Sequence, residues 1–509
     1  MSAVEMLPPV SRVPAGPAAS PRSGATLAGR NTAVRAASQA VSALINVAAM
    51  VLLGNHLSAA GYGQYAFYYA LIPLIASIAD LGAGVIVTRE AARDADAASR
   101  LLGDAIVLRG AVAVALLLGA GAFSVVALAP ADALLVMLVT AAAVLDFGQD
   151  VSIWMLRAAE RLDLEAFLLL ISQTAWILGI ALGVALGATL PVLLAMAVGA
   201  FLLRTWVGAT MLSRLGLHPS LSVQPARLAQ LVTQGWPLAA SLLLVVLYGR
   251  VGVFVLKALS TDTDVACFNV AYLLSQPFGF LGSALAMAVF PAFARLGAES
   301  AADLSAPLRS AFKYQLLVSL PLAAGLFMLA DRAVPLLFKE GAGYAQASAA
   351  LGAMSLALPF VFFNLQSRYL LAAVGRQRVY LWGVTTGLLV NVFGCLVSVP
   401  RFGVMGAAWT FVIAETLVFA ACHSAISGHM SFTALARTSG RPLGAALVMA
   451  VWLWALRSAP LPVLIAVGAV TYVVTLVLVR ALTRSEWRVI REVWSSFRLS
   501  RPRRAGRPA

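Results

Sequence analysis

Six ionisable side chains stand out because they interrupt long apolar runs: Arg250, Arg368, Asp80, Asp146, Asp150 and Glu415. Arg250 sits near the middle of LLLVVLYGRVGVFVLK, residues 242–257. On insertion scales an arginine at the centre of a bilayer-spanning helix costs roughly 2.5–3.5 kcal/mol, while a leucine there returns only about 0.3–0.6. Such a residue faces other helices or a wet cavity, so each is a candidate site. A guanidinium keeps its charge when partly desolvated and offers phosphate oxygens a planar fork, so Arg250 suits a phosphate-bearing ligand. Its other reading is an ion pair with a carboxylate on a neighbouring helix. Arg368, in FFNLQSRYLLAAVG, lies about two turns from the end of its run. It either serves the same ligand at an entrance or snorkels to the surface.

The carboxylates suggest a different task. Asp146 and Asp150 are four apart in LDFGQDVSIW and share a helix face. The pair can carry a proton, or hold a sodium ion with Gln149 or a carbonyl as an extra oxygen ligand. Alternatively, Asp150 pairs with Arg157. Glu415 stands alone in TFVIAETLVFA and, with no partner in view, is expected to be neutral much of the time. Asp80 begins a DLG turn and reads either as structural or as a further coupling carboxylate. Asn364, Gln276, Asn269, Gln366 and Asn391 suit sugar hydroxyls or interhelical hydrogen bonds. The three cysteines have no CxxC spacing, and the four histidines include no HExxH pair. No metal site or cofactor is expected.

These side chains need a frame inside a bilayer. Of the 509 residues 61% are hydrophobic and 11% charged, against about 25% charged in a soluble domain. The expected class is an all-α polytopic membrane protein of about 14 transmembrane helices. The runs are 32–54, 65–88, 105–128, 132–156, 166–187, 190–212, 231–256, 266–292, 311–331, 346–374, 379–399, 405–427, 442–457 and 461–482. With both termini cytosolic, 29 of the 36 lysines and arginines fall on cytosolic segments and five on external loops. Twelve or fourteen spans satisfy that bias and thirteen do not. The net charge of +15 is spread over short loops rather than one soluble face, which argues against nucleic acid. External loops are too short for a catalytic domain, so transport is favoured over enzyme chemistry.

The expected organisation is a disordered cytosolic N-tail (1–30), an N-lobe of six helices (31–213), a cytosolic linker (214–230), a C-lobe of six helices (231–430), two further helices (431–483) and a basic cytosolic C-tail (484–509). GQYAFYYALIP in the second span and ACFNVAYLLSQP in the eighth have a similar pattern of aromatics and proline. They lie six spans apart and run in the same direction, which implies two pseudo-symmetric lobes with a site between them. Pro73, Pro277, Pro321 and Pro359 sit inside spans as expected kinks.

The stretch LSAAGYGQYAFYYALIPLIASIADLGAGVIVTREAAR (57–93), with GYGQY, ADLG and TRE at its core, resembles the signature region of the polysaccharide-biosynthesis flippases of the multidrug/oligosaccharidyl-lipid/polysaccharide exporter superfamily. WPLAASLLLVVLYGRVGVFVLKALSTDTDVACFNVAYLLSQP (236–277) is similar to a second family segment, with Cys267 and Phe268 where the family often has a small residue and tyrosine. The resemblance implies a flippase that moves undecaprenyl-pyrophosphate-linked oligosaccharide repeat units across the bacterial inner membrane for O-antigen or exopolysaccharide synthesis, driven by a proton or sodium gradient. Membrane lipid, a polysaccharide polymerase and a chain-length regulator are the expected partners. On this reading Arg250, Arg368, Asn364 and Gln276 bind substrate, and Asp146, Asp150, Glu415 and Asp80 couple ions. A multidrug exporter of the same superfamily is the alternative, because in-span carboxylates outnumber in-span arginines four to two.

Overall fold

A computed structural model describes residues 21–481 apart from 95–96, 221–223, 300–304, 340, 342 and 429, and describes no side chains at 21–37, 147–150, 291–292 and 294–299. The described chain is helical throughout: α1 (Pro21–His56), α2 (Ala59–Asp80), α3 (Ala83–Arg93), α4 (Ala98–Ala127), α5 (Pro130–Ala158), α6 (Leu162–Ala185), α7 (Leu190–Arg214), α8 (Pro225–Tyr248), α9 (Val251–Leu259), α10 (Asp262–Ser275), α11 (Gly279–Glu299), α12 (Ser305–Leu337), α13 (Ala345–Ser355), α14 (Leu358–Ala373), α15 (Gln377–Ser424), α16 (Phe432–Ala455) and α17 (Leu461–Leu478). Lipid cannot satisfy exposed backbone polar groups, so helices are what long apolar runs must become. Helix α1 starts at Pro21, so residues 21–30 do not belong to an unordered tail as expected; proline is suited to a first helical turn, where its missing N–H costs nothing. The remainder of the N-tail and the basic C-tail lie outside the described residues.

The described residues of the fourteen expected spans are mostly helical, but among the described residues only ten helices are long and apolar enough to cross a membrane, or up to twelve if each bent pair is one span. The expected count of fourteen is therefore not established. Helix α16, over the thirteenth expected span, is not among the ten, and span eleven and most of span twelve lie in α15, which bends at Gly403 (φ 52°, ψ −132°).

Four spans expected to be continuous are broken, the seventh among them between α8 and α9. The second bends by 55° between α2 and α3, the tenth by 48° between α13 and α14, where Pro359 opens α14, and the eighth passes through a 3-10 turn at Gln276–Phe278 that contains Pro277. Pro73 and Pro321 remain inside unbroken helices.

Helices α2 and α10, which carry the two similar segments, pack extensively on each other. Each is capped by a hydroxyl: Ser58 accepts from Gly61 N (3.1 Å) and Thr261 from Asp264 N (3.2 Å), satisfying backbone donors the first turn leaves open. Their approach is possible because residue 63 is glycine; a Cβ there would lie 1.8 Å from the carbonyl oxygen of Asp262. The largest core spans this crossing, joining α1, α2, α5, α6 and α7 to α9, α10, α12, α13 and α15. A second core lies among α3 to α8, a third among α11, α12 and α14 to α16, and α17 packs with α16 against α12, where the Tyr472 hydroxyl donates to Leu317 O (3.0 Å).

Candidate functional site

The ADLG segment forms the bend between α2 and α3. Leu81 (φ 48°) and Gly82 (φ 70°) are both left-handed, and a Cβ on Gly82 would sit 2.0 Å from the Gly235 carbonyl oxygen on α8, so only glycine fits. Asp80, the last residue of α2, accepts from Arg109 Nη2 of α4 at 2.5 Å. The Arg109 side chain is 5% exposed, and its guanidinium carbon stands 4.0 Å over the Trp154 ring of α5. The half-buried carboxylate thereby compensates the buried guanidinium.

Asp80 and Trp154 line a cavity of about 550 Å³ between α2, α3, α5 and α8, together with Asp146, Arg89 and Arg157. Arg157 also forms a bidentate pair with Glu165 (3.1 and 2.7 Å) and borders a smaller cavity of about 290 Å³ with Ser38 and the buried Arg204. The side chain of Asp150 lies outside the described residues, so the expected pairing of Asp146 with Asp150, or of Asp150 with Arg157, has no geometry.

Arg250 does not lie inside a continuous seventh span, as expected from 231–256. That span breaks at Gly249 and Arg250, and Arg250 (φ −120°, ψ −5°) is the residue before α9. It is half-buried and lines a pocket of about 80 Å³ with Tyr62, Tyr65 and Tyr69 of α2, Trp176 of α6 and Asn269 of α10. The three tyrosines and Trp176 stack in series, with ring centroids 6.5, 5.7 and 5.6 Å apart. Asn269 Nδ2 donates to the Tyr62 hydroxyl (2.8 Å). Among the described residues no carboxylate stands at ion-pair distance from Arg250; its Cζ lies 5.8 Å from the centroid of the Tyr272 ring. Tyr69 lies within electrostatic reach of Arg250, Arg204 and Asp146 together.

Glu415 is not alone. Asn364 Nδ2 donates to its Oε2 (2.7 Å) and to its main-chain carbonyl (3.1 Å), and both side chains are buried. With Tyr248, Gln276 and Tyr380 they line a separate pocket of about 190 Å³. The expected substrate residues Asn364 and Gln276 thus stand beside an expected coupling carboxylate, while Arg250 opens into a different pocket. Arg368 is exposed. Gln366, Asn391 and Asn269 make interhelical hydrogen bonds, Gln366 accepting from Gln315 (3.0 Å) and Asn391 donating to Tyr248 O (3.4 Å).

Sequence reasoning missed the placement of four arginines. Arg109 and Arg204 are assigned to cytosolic loops by the charge bias but are buried in α4 and α7. Both fall inside their own expected runs, which was the available signal. Arg89, within the TRE segment, and Arg157, the alternative partner expected for Asp150, border the large cavity, a placement that their sequence context does not indicate.

Together these elements define a polytopic all-helical membrane protein. Its fold matches the lipid II flippase MurJ in an inward closed conformation (14% identity, TM-score 0.72, covering 87% of this chain and 98% of that one). It also matches a multidrug resistance MATE family transporter of the MOP superfamily in an inward-facing conformation (17% identity, TM-score 0.62, 78% and 96% covered). A third likeness is a MOP superfamily transporter from Pyrococcus furiosus whose binding pocket of reverse polarity suggests a different function (14% identity, TM-score 0.56, 78% and 96% covered). At these identities the likeness is one of fold. The sequence profile of the polysaccharide biosynthesis protein family matches residues 28–297, more than half of the chain, and that of the MatE family matches 237–397. The chain belongs to the polysaccharide biosynthesis protein family. No curated protein matches the sequence significantly.

Proposed function

We propose that this protein is a flippase for undecaprenyl-pyrophosphate-linked oligosaccharide repeat units in the bacterial inner membrane, with both termini cytosolic. The observation that carries this reading is Arg250, a half-buried guanidinium with no carboxylate at ion-pair distance among the described residues, set between α2 and α10. A cation left unneutralised by its own protein suits an anionic ligand. Asn364 and Gln276 offer amides for sugar hydroxyls. The family match supports a polysaccharide pathway, and the MurJ-like fold supports a lipid-linked substrate.

On this reading residues 31–213 and 231–430 form two lobes joined by the 214–230 linker and followed by helices over 431–483. The lobes rock about the α2 and α10 crossing to expose the cavity to either side. Arg368 serves the cytosolic entrance. Asp146, Asp150 and Glu415 take up protons or sodium ions to couple the cycle to a gradient, with Asp80 holding the cavity wall. A polymerase and a chain-length regulator receive the product.

A clean deletion tests the assignment: lipid-linked repeat units should accumulate on the cytosolic leaflet while their synthesis continues. Normal surface polysaccharide together with altered sensitivity to cationic drugs would favour a multidrug antiporter, a reading kept open by Asp80 and Asp146 in the same cavity.

A further inference from the structure

A second cavity opens sideways, away from the central one. Helices α4 and α7 both pack on α5 and barely on each other, leaving a slot of about 420 Å³ between them with α5 as its floor. Its walls are Leu102, Ile106, Gly110 and Ala113 of α4 and Ala209 and Leu212 of α7. The α4 residues recur at helical spacing and form one face. Gly110 and Ala209 are exposed, and a Cβ on Gly110 would meet nothing within 4 Å, so the slot is open to its surroundings. Those surroundings are hydrocarbon, since α4, α5 and α7 are all long and apolar enough to span a bilayer.

Length and charge select the occupant. From Leu102 to Ala113 the slot runs about 17 Å at ~1.5 Å per residue, close to half of a hydrocarbon core of ~30 Å and so to one leaflet. That is the reach of one acyl chain, and several times too short for a polyisoprenoid tail. At one end the slot closes on Leu217, His218 and Pro219, just beyond α7. His218, Arg214 at the end of α7 and Arg100 at the start of α4 are exposed there, and no carboxylate among the described residues pairs with either arginine. The ends of α4 and α7 meet at this mouth, where Ser220 N donates to Ser99 O (2.9 Å).

We propose that the α4, α5 and α7 slot binds one acyl chain of an anionic glycerophospholipid, whose phosphate rests among Arg100, Arg214 and His218. Juxtamembrane cations attract anionic headgroups, and the slot adds shape to that attraction. The site also has a structural consequence. Arg109 lines the slot, while its partners Asp80 and Trp154 line the central cavity, so a seated chain braces the wall between the two.

The test uses the full chain in nanodiscs with phosphatidylglycerol bearing a photoactivatable group on one acyl chain. Peptide mapping should place the label on Ile106 to Ala113 and near Ala209. Unlabelled phosphatidylglycerol should compete and phosphatidylcholine should not. Gly110→Leu, which has room for its side chain, should cut labelling several-fold at an unchanged melting temperature, as should Arg100→Glu combined with Arg214→Glu; Ala209→Leu provides a second filled slot should Gly110→Leu fold poorly. Label spread evenly over lipid-facing helices, labelling undiminished in a folded filled-slot variant, or stronger competition by a polyprenyl phosphate than by phosphatidylglycerol would each overturn the proposal. None of these readouts depends on transport, so they stand or fall separately from the flippase assignment.

Discussion

Asn364 Nδ2 stands 2.7 Å from Glu415 Oε2 and 3.1 Å from the carbonyl oxygen of the same residue, fixing α14 to α15 at a buried carboxyl group. Asn364→Ala leaves that group short of a partner and should lower stability by about 1–3 kcal/mol, read as reduced melting temperature. Glu415→Gln keeps the shape and accepts the same hydrogen bond but cannot change charge. It should fold normally and lose gradient-driven transport in vesicles. Full coupling in that variant would exclude Glu415 from the ion path.

The pair of half-buried Asp80 and buried Arg109 makes a stability prediction. Asp80→Asn takes a carboxylate from the buried Arg109 guanidinium and should lower the melting temperature. Replacing both by leucine should recover much of the loss. A melting temperature for Asp80→Asn equal to that of the wild type would show that the pair adds nothing.

Arg250 separates ligand binding from architecture. Arg250→Lys keeps the charge without the fork and should retain partial transport, while Arg250→Ala should lose most of it at normal membrane abundance. Because no described carboxylate pairs with Arg250, abundance should not fall. An abundant, fully active alanine variant would remove Arg250 from the path.

The crossing of α2 and α10 can be probed at Gly63. Gly63→Val places a side chain onto the Asp262 carbonyl and should push the helices apart. Gln64, whose Nε2 donates to Asp262 Oδ2 (3.1 Å), should separate with them. A Gln64→Cys reporter should then react faster with membrane-impermeant thiol reagents in the Gly63→Val background. Equal rates would mean that the crossing absorbs the added bulk.

Topology is tested by reporter fusions at Ser2 and Ala509. Both should signal from the cytosol, as the excess of lysine and arginine on cytosolic segments requires even with the buried Arg109 and Arg204 set aside. An external signal from either end would reject the arrangement.

The helical membrane class was determined by the sequence alone, because lipid offers the backbone no partner and each apolar run must satisfy its own hydrogen bonds. The motif at 57–93 also marked real geometry: Gly63 lies at the α2 and α10 contact, and ADLG makes the bend before α3. Hydropathy could not reveal the breaks in spans seven and eight, since Gly249, Arg250 and Pro277 alter backbone angles without changing the apolar average around them. Nor could it reveal partners. Asp80 meets Arg109 across 29 positions and Glu415 meets Asn364 across 51, each on a different helix. A charge inside a membrane demands compensation, and that demand is visible in one dimension. Which group supplies it depends on the faces that neighbouring helices turn toward each other, so the same reasoning left Glu415 alone, placed Arg109 in a loop and could not anticipate that Arg250 would be left without a carboxylate among the described residues.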